Sequence, residues 1–147
     1  MMVKGISDFK RLFPPYKRFK NKRKAHLRLG RWGENQSCQL LQRKGFTILL
    51  QNYRSPVGEL DIVALDGKTL VFVEVKTLAK ATGFRPIHNY SYRQNKRNIL
   101  AAKSYIRQLY IPVEDVRFDF IEVVGTPFKL QSIQHYQNFA VIPKYQN

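Results

Sequence analysis

The chain of 147 residues is long enough for one domain with a sizeable buried core. Its 26 Lys and Arg against 10 Asp and Glu leave a net charge of +16, a field that favours a polyanionic partner, nucleic acid before an anionic membrane. A single cysteine, Cys38, excludes a disulfide framework and a cysteine-based zinc site, and no apolar run reaches the roughly 18 residues that span a bilayer, so a cytoplasmic protein is expected.

Residues 1–28 form a basic N-terminal arm, in which ten Lys and Arg face one acid, Asp8. Like-charge repulsion and the Pro14-Pro15 break predict an extended or loosely helical segment without a signal-peptide core. Lys17, Arg18, Lys22, Arg23 and Lys24 are candidate phosphate contacts; a solvated tail is the alternative. Residues 29–147 make up the folded domain. The spacing of Trp32, Gly33, Cys38, Leu40 and Leu41, closed by Gly45, predicts a helix over 29–44 that carries Glu34. On it, Cys38 reads as a small buried residue rather than a nucleophile, and Trp32 as packing.

Residues 46–54 read as a strand, followed by a Ser55-Pro56-Val57-Gly58 turn. Two more strands, 59–65 and 69–77, flank Asp66-Gly67, a favoured hairpin dipeptide. A loop over 78–90 leads to a helix over 91–110, with Ile99, Ala102, Ile106 and Leu109 on one face and Arg93, Lys96 and Arg97 on the other. Strands over 116–124 and 128–133 follow, leaving 135–147 as a terminal segment. His26, His88 and His135 have no ligand spacing and read as surface residues. Arg117 and Asp119 read as an ion pair on one strand face. The order predicts an α/β fold, a mixed sheet flanked by helices, because the helical crossover permits a parallel return while the hairpin is antiparallel.

With Asp66 and Gly67 as the two turn residues, Asp61 is expected opposite Phe72 and Glu59 opposite Glu74. Alternation then puts Glu59, Asp61, Glu74 and Lys76 on one face. The third strand is apolar on both faces, as a central strand would be, so clustered carboxylates there are costly unless compensated. A divalent cation held by Asp61, Glu74 and the backbone carbonyl of Val75 compensates them. Such a cation also suits phosphodiester hydrolysis, with Lys76 orienting water or stabilising the transition state and Glu34 supporting from the helix. A Glu-Lys ladder at a sheet edge is the bland alternative.

The stretches Gly30-Arg31-Trp32-Gly33-Glu34, Gly58-Glu59-Leu60-Asp61, Val73-Glu74-Val75-Lys76, Arg117-Phe118-Asp119 and Asn138-Phe139 together resemble the YraN-like family of small bacterial proteins. That family is placed in the PD-(D/E)xK nuclease superfamily beside archaeal Holliday-junction resolvases. The resemblance implies a restriction-endonuclease-like αβββαβ core and a Mg2+- or Mn2+-dependent nuclease acting on DNA, with a possible homodimer. Asp61 matches the first acid of the signature, Glu74 the second, Lys76 its lysine, and Glu34 the acid of the first helix. Glu59 belongs to the Gly-Glu-x-Asp pattern. Lys96 matches the basic residue at the start of the later helix, and Arg85 is the candidate for an arginine that the family carries after its Glu-Val-Lys-Thr. A non-catalytic nucleic-acid-binding protein on the same fold is the competing expectation.

Overall fold

The computed structural model describes residues 24–83, 85, 87, 90–110 and 113–140. Lys17, Arg18, Lys22 and Arg23 lie outside these, as does His88. Helix α1 (Lys24–Arg43) begins within the stretch read as the arm. It ends as its sequence demands: Gly45 takes φ 88°, Phe46 N–H bonds to Leu41 O and Gly45 N–H to Gln42 O, both at 3.0 Å, which is a Schellman stop. Then come β1 (Thr47–Ser55), β2 (Gly58–Asp66), β3 (Thr69–Leu78), α2 (Tyr92–Arg107), β4 (Asp115–Thr126) and β5 (Lys129–Ala140). Among the described residues no helix is long and apolar enough to cross a membrane.

The five strands form one mixed sheet in chain order, antiparallel except for the parallel β3–β4 pair that α2 connects. This is the restriction-endonuclease-like α/β arrangement expected from the sequence. Strand β3 is central, so the edge-ladder alternative for Glu74 and Lys76 does not hold. Val71, Val73 and Val75 pack with Ile62, Ala64, Ile121 and Val123 beneath Cys38 and Leu41 of α1. Leu70 and Phe72 pack with Tyr53, Val63 and Phe118 beneath Ala101, Ala102 and Tyr105 of α2.

The last strand corrects the expected terminal segment: β5 runs on to Ala140. Its later residues bring buried partners that local periodicity does not reveal. Phe139 lies 4.9 Å from Phe120 and 5.1 Å from Tyr90, ring centre to ring centre. His135, expected at the surface, has a fully buried side chain with Nε2 2.8 Å from Asp119.

Two glycines of α1 differ sharply in what surrounds them. A Cβ on Gly33 would lie 1.8 Å from Thr77 Oγ1 and 2.9 Å from its Cβ, whereas one on Gly30 meets nothing within 4 Å. The close approach at Gly33 is what seats Glu34 beside the end of β3. We expect Gly33→Ala to destabilise the fold by about 1–3 kcal/mol through overpacking. Gly30→Ala should stabilise it by about 0.5–1 kcal/mol through helix propensity. Urea denaturation of the two variants checks the pair; equal effects would refute the packing of α1 on β3.

Candidate active site

The β2–β3 hairpin differs from expectation by two residues. Asp66 pairs with Thr69, Leu65 with Leu70 and Val63 with Phe72, so the turn residues are Gly67 and Lys68. Gly67 takes φ 60° while Lys68 does not share a positive φ, the pattern of a II′ turn with glycine first. A shift of two preserves side-chain parity. It therefore keeps Asp61 and Glu74 together and brings Asp61, rather than Glu59, opposite Glu74.

Beyond Ile62↔Val73 the two strands part. Asp61 fills the opening: its Oδ2 accepts a 2.8 Å hydrogen bond from Val75 N–H. Because a strand residue's N–H and C=O point to the same side, the Val75 carbonyl is directed into that opening as well. Burial, reinforced by the charge of Glu74, holds the Asp61 carboxyl well above the usual carboxylate range, although the Val75 N–H acts against it.

Glu74 is buried and held from three directions. Its Oε1 lies 2.7 Å from Lys76 Nζ and also accepts from Gln94 Nε2. Its Oε2 accepts from Asn98 Nδ2 at 2.9 Å, and that same amide donates to the Tyr90 hydroxyl. Gln94 and Asn98 stand one turn apart on α2, which Ser91 starts by accepting from Gln94 N–H at 3.2 Å. The opposite side of that turn presents Arg93, Lys96 and Arg97 to solvent. One helix thus clamps the acid and offers cations outside it.

Glu34 approaches from α1 and lies with Asp61 on the wall of an open cavity of about 730 Å³. Its Oε2 accepts from Asn52 Nδ2 at 2.8 Å, and burial raises its carboxyl above the ordinary value against that hydrogen bond. Glu59 does not join the cluster facing Glu74. It pairs with Arg54 across β1–β2 and is exposed, with Oε2 3.5 Å from Arg54 Nε.

Among the described residues, no three His, Cys, Asp or Glu side chains are grouped so as to hold a metal ion. The acids brought together here are Asp61 and Glu74. Their oxygens suit a hard divalent cation, which would relieve the repulsion from Glu74 that adds to burial in raising the Asp61 carboxyl.

Three contributors escaped the sequence reading. Gln94 and Asn98 carry the i, i+4 spacing of a single helix face, the one available signal. Glu122 gave none, because its place opposite Lys76 depends on the parallel β3–β4 register. Glu122 is buried, its Oε2 has no hydrogen-bond partner among the described residues, and its Oε1 lies 3.7 Å from Arg85 Nε. Arg85 also donates to Gln134 and Tyr136, which places this arginine on the row that starts at Lys76.

On the other sheet face Arg117 forms a two-pronged pair with Asp119 at 2.9 and 3.0 Å and reaches Asp66 at 2.9 Å. The expected Arg117–Asp119 pair is thus present, with His135 added. Cys38 is buried as expected, and burial pushes its thiol up to about 11, the opposite of an activated nucleophile.

Residues 33–123 match the sequence model of the "Uncharacterised protein family UPF0102". The chain is 38% identical to a UPF0102 protein of Chlorobium phaeobacteroides over 74% of its own length and 86% of the relative's. It is 36% identical to one of Desulforapulum autotrophicum, over 74% and 91%, and 31% identical to one of Dictyoglomus turgidum, over 67% and 84%.

Proposed function

The chain belongs to the uncharacterised protein family UPF0102, the YraN-like group, and we propose that it is a divalent-metal-dependent nuclease that hydrolyses phosphodiester bonds in DNA. One observation carries this reading: Asp61, Glu74 and Lys76 meet where β2 and β3 part, with Asp61 on Val75 N–H and Lys76 on Glu74.

Asp61, Glu74 and the Val75 carbonyl would hold Mg2+ or Mn2+. Bound there, the ion would lower the pKa of water and screen charge on the phosphoryl oxygens. Lys76, its side chain 40% exposed, reaches out from the buried Glu74 and would stabilise the charge that develops on the phosphate. Gln94 and Asn98 fix the Glu74 carboxylate, so little reorganisation is needed when substrate arrives. Arg93, Lys96 and Arg97 supply exposed positive charge for the strand backbone. Lys24 is the first residue of α1.

A second reading, DNA binding without cleavage, is favoured by the bonds from Lys76, Gln94 and Asn98 that satisfy both oxygens of Glu74. Incubation of the whole chain with linear, nicked and four-way-junction DNA in Mn2+ separates the two. We expect cleavage by the native chain and, for Lys76→Met, a loss of about 10²–10³ in rate with DNA affinity nearly retained. Salt-sensitive binding with no cleavage of any of these DNAs would establish the second reading instead.

A further inference from the structure

The cavity beside Asp61 is larger than the carboxylate chemistry needs, and neither Glu74 nor Lys76 lines it. Its walls come from α1, β1 and β2, with Arg31, Glu34, Asn52, Arg54 and Asp61 among them. We propose that it receives one unpaired nucleotide next to the scissile phosphate, so that the substrate is a single-stranded or frayed DNA rather than a continuous duplex. This inference rests on the nuclease reading above and names its substrate class.

Size is the first support. About 730 Å³ lies within the range of pockets that enclose one small ligand. A stacked base pair must be opened before one of its nucleotides can enter a concave site, at a cost of a few kcal/mol that an unpaired strand does not incur.

Chemistry is the second. Arg31 is exposed on α1 and offers a cation for the phosphate of an entering strand, while Arg54 on β1 is paired with Glu59, which also lines the cavity. Asn52 donates to Glu34 and Gln51 to Cys38 Sγ, and the amide oxygens and second amide hydrogens of Gln51 and Asn52 remain as acceptors and donors for a base edge.

The backbone supplies a third support. Asn52 takes φ 55°, the left-handed region that asparagine visits at less cost than most residues. It sits between Gln51, which pairs with Ile62, and Tyr53, which pairs with Leu60, and thus at the level of Asp61. Its amide is turned to Glu34 rather than along the strand. This conformation and the bond to Glu34 link β1 to α1 beside Asp61.

Gly30 lines the cavity, and a Cβ there meets nothing within 4 Å, so a side chain added at this position starts into open space on the cavity side. The test is fluorescence anisotropy of the full chain in EDTA at fixed salt, with a labelled single strand of about 12 nucleotides and a blunt duplex of equal length. We expect the single strand to bind about tenfold more tightly, a difference that Gly30→Phe removes while Gly30→Ala keeps it. Circular dichroism should show Gly30→Phe melting no lower than the native chain, because glycine is the poorer helix former.

Equal affinity for the two DNAs, or a folded Gly30→Phe that keeps the preference, overturns the proposal. Cleavage within duplex by a chain lacking that preference would overturn the pocket and leave the nuclease. A preference that Gly30→Phe abolishes, in a chain that cuts neither DNA in Mn2+, would overturn the nuclease and leave the pocket as a single-strand site.

Discussion

Asp61→Asn is expected to raise the melting temperature of the metal-free protein and to abolish cleavage. The amide keeps an oxygen for Val75 N–H but removes a charge that is buried against Glu74. Relief of such a site is worth on the order of 1 kcal/mol, a few degrees in melting temperature. The pH dependence has a definite sign. Asp61 has a folded value above its unfolded one, so the native state binds the extra proton and stability falls as pH rises between the two values. The advantage of the asparagine variant is therefore largest above the folded value and vanishes below the unfolded one.

The same substitution removes a proposed metal ligand. Mn2+ should stabilise the native chain by about 2.7 kcal/mol at a hundred times Kd, with a melting temperature that climbs with the logarithm of its concentration, and should leave Asp61→Asn unmoved. Cleavage should fall by roughly 10³-fold or more, since the several kcal/mol that a metal contributes to the transition state is lost. Scanning calorimetry across pH, with and without Mn2+, reads the stability effects, and a DNA cleavage assay reads the loss of rate. A variant less stable than the native chain at neutral pH in chelator would refute the repulsion. Equal stabilisation of both proteins by Mn2+ would refute the ligand assignment.

Asp119→Ala should cost roughly 3–5 kcal/mol of stability, because it leaves Arg117 without its principal partner in a buried site. The side chains of Asp119 and His135 are fully buried, and Arg117 is 15% exposed. Asp119 also accepts from Asn138 N–H at 3.1 Å, where Asn138 takes φ 52° in an irregular stretch of β5. The substitution therefore loosens the last strand as well as the ion pair.

Burial alone would raise Asp119, but the hydrogen bonds from His135, Arg117 and Asn138 outweigh it and the carboxyl lies below its ordinary value. A depressed acid stabilises the fold above its unfolded value, roughly pH 4, and loses that contribution as pH falls through the folded one. Urea midpoints of native and variant chains should differ most near neutrality and converge in strong acid. A neutral-pH loss below about 1 kcal/mol would show that solvent replaces these bonds. The network lies on the sheet face of Val73, opposite Glu74, so cleavage well below the variant's melting point should change little.

Much of this was legible in the residues themselves. Unbroken apolar character on both faces of Leu70–Val73 required a central strand, and the period of two put Asp61, Glu74 and Lys76 on one side whatever the even-numbered slip of the hairpin. Gly45 ended one helix, and the faces of 91–110 separated a basic surface from a core stripe. These follow from contacts near in sequence, which local periodicity records.

Only the tertiary structure decided the rest. The II′ turn at Gly67 set the register and gave Glu74 the partner Asp61 in place of Glu59, which Arg54 holds instead. Gln94, Asn98 and Glu122 reach the site from 20, 24 and 46–48 residues away in the chain, through helix docking and parallel pairing that no local pattern specifies. His135 is buried because β5 lies beside Asp119, and the cavity exists because α1 rests on Thr77 while Asn52 turns toward Glu34. The sequence by itself determined which side chains could carry the chemistry, since residue type and parity are local. Their mutual distances were decided by packing between elements far apart in the chain.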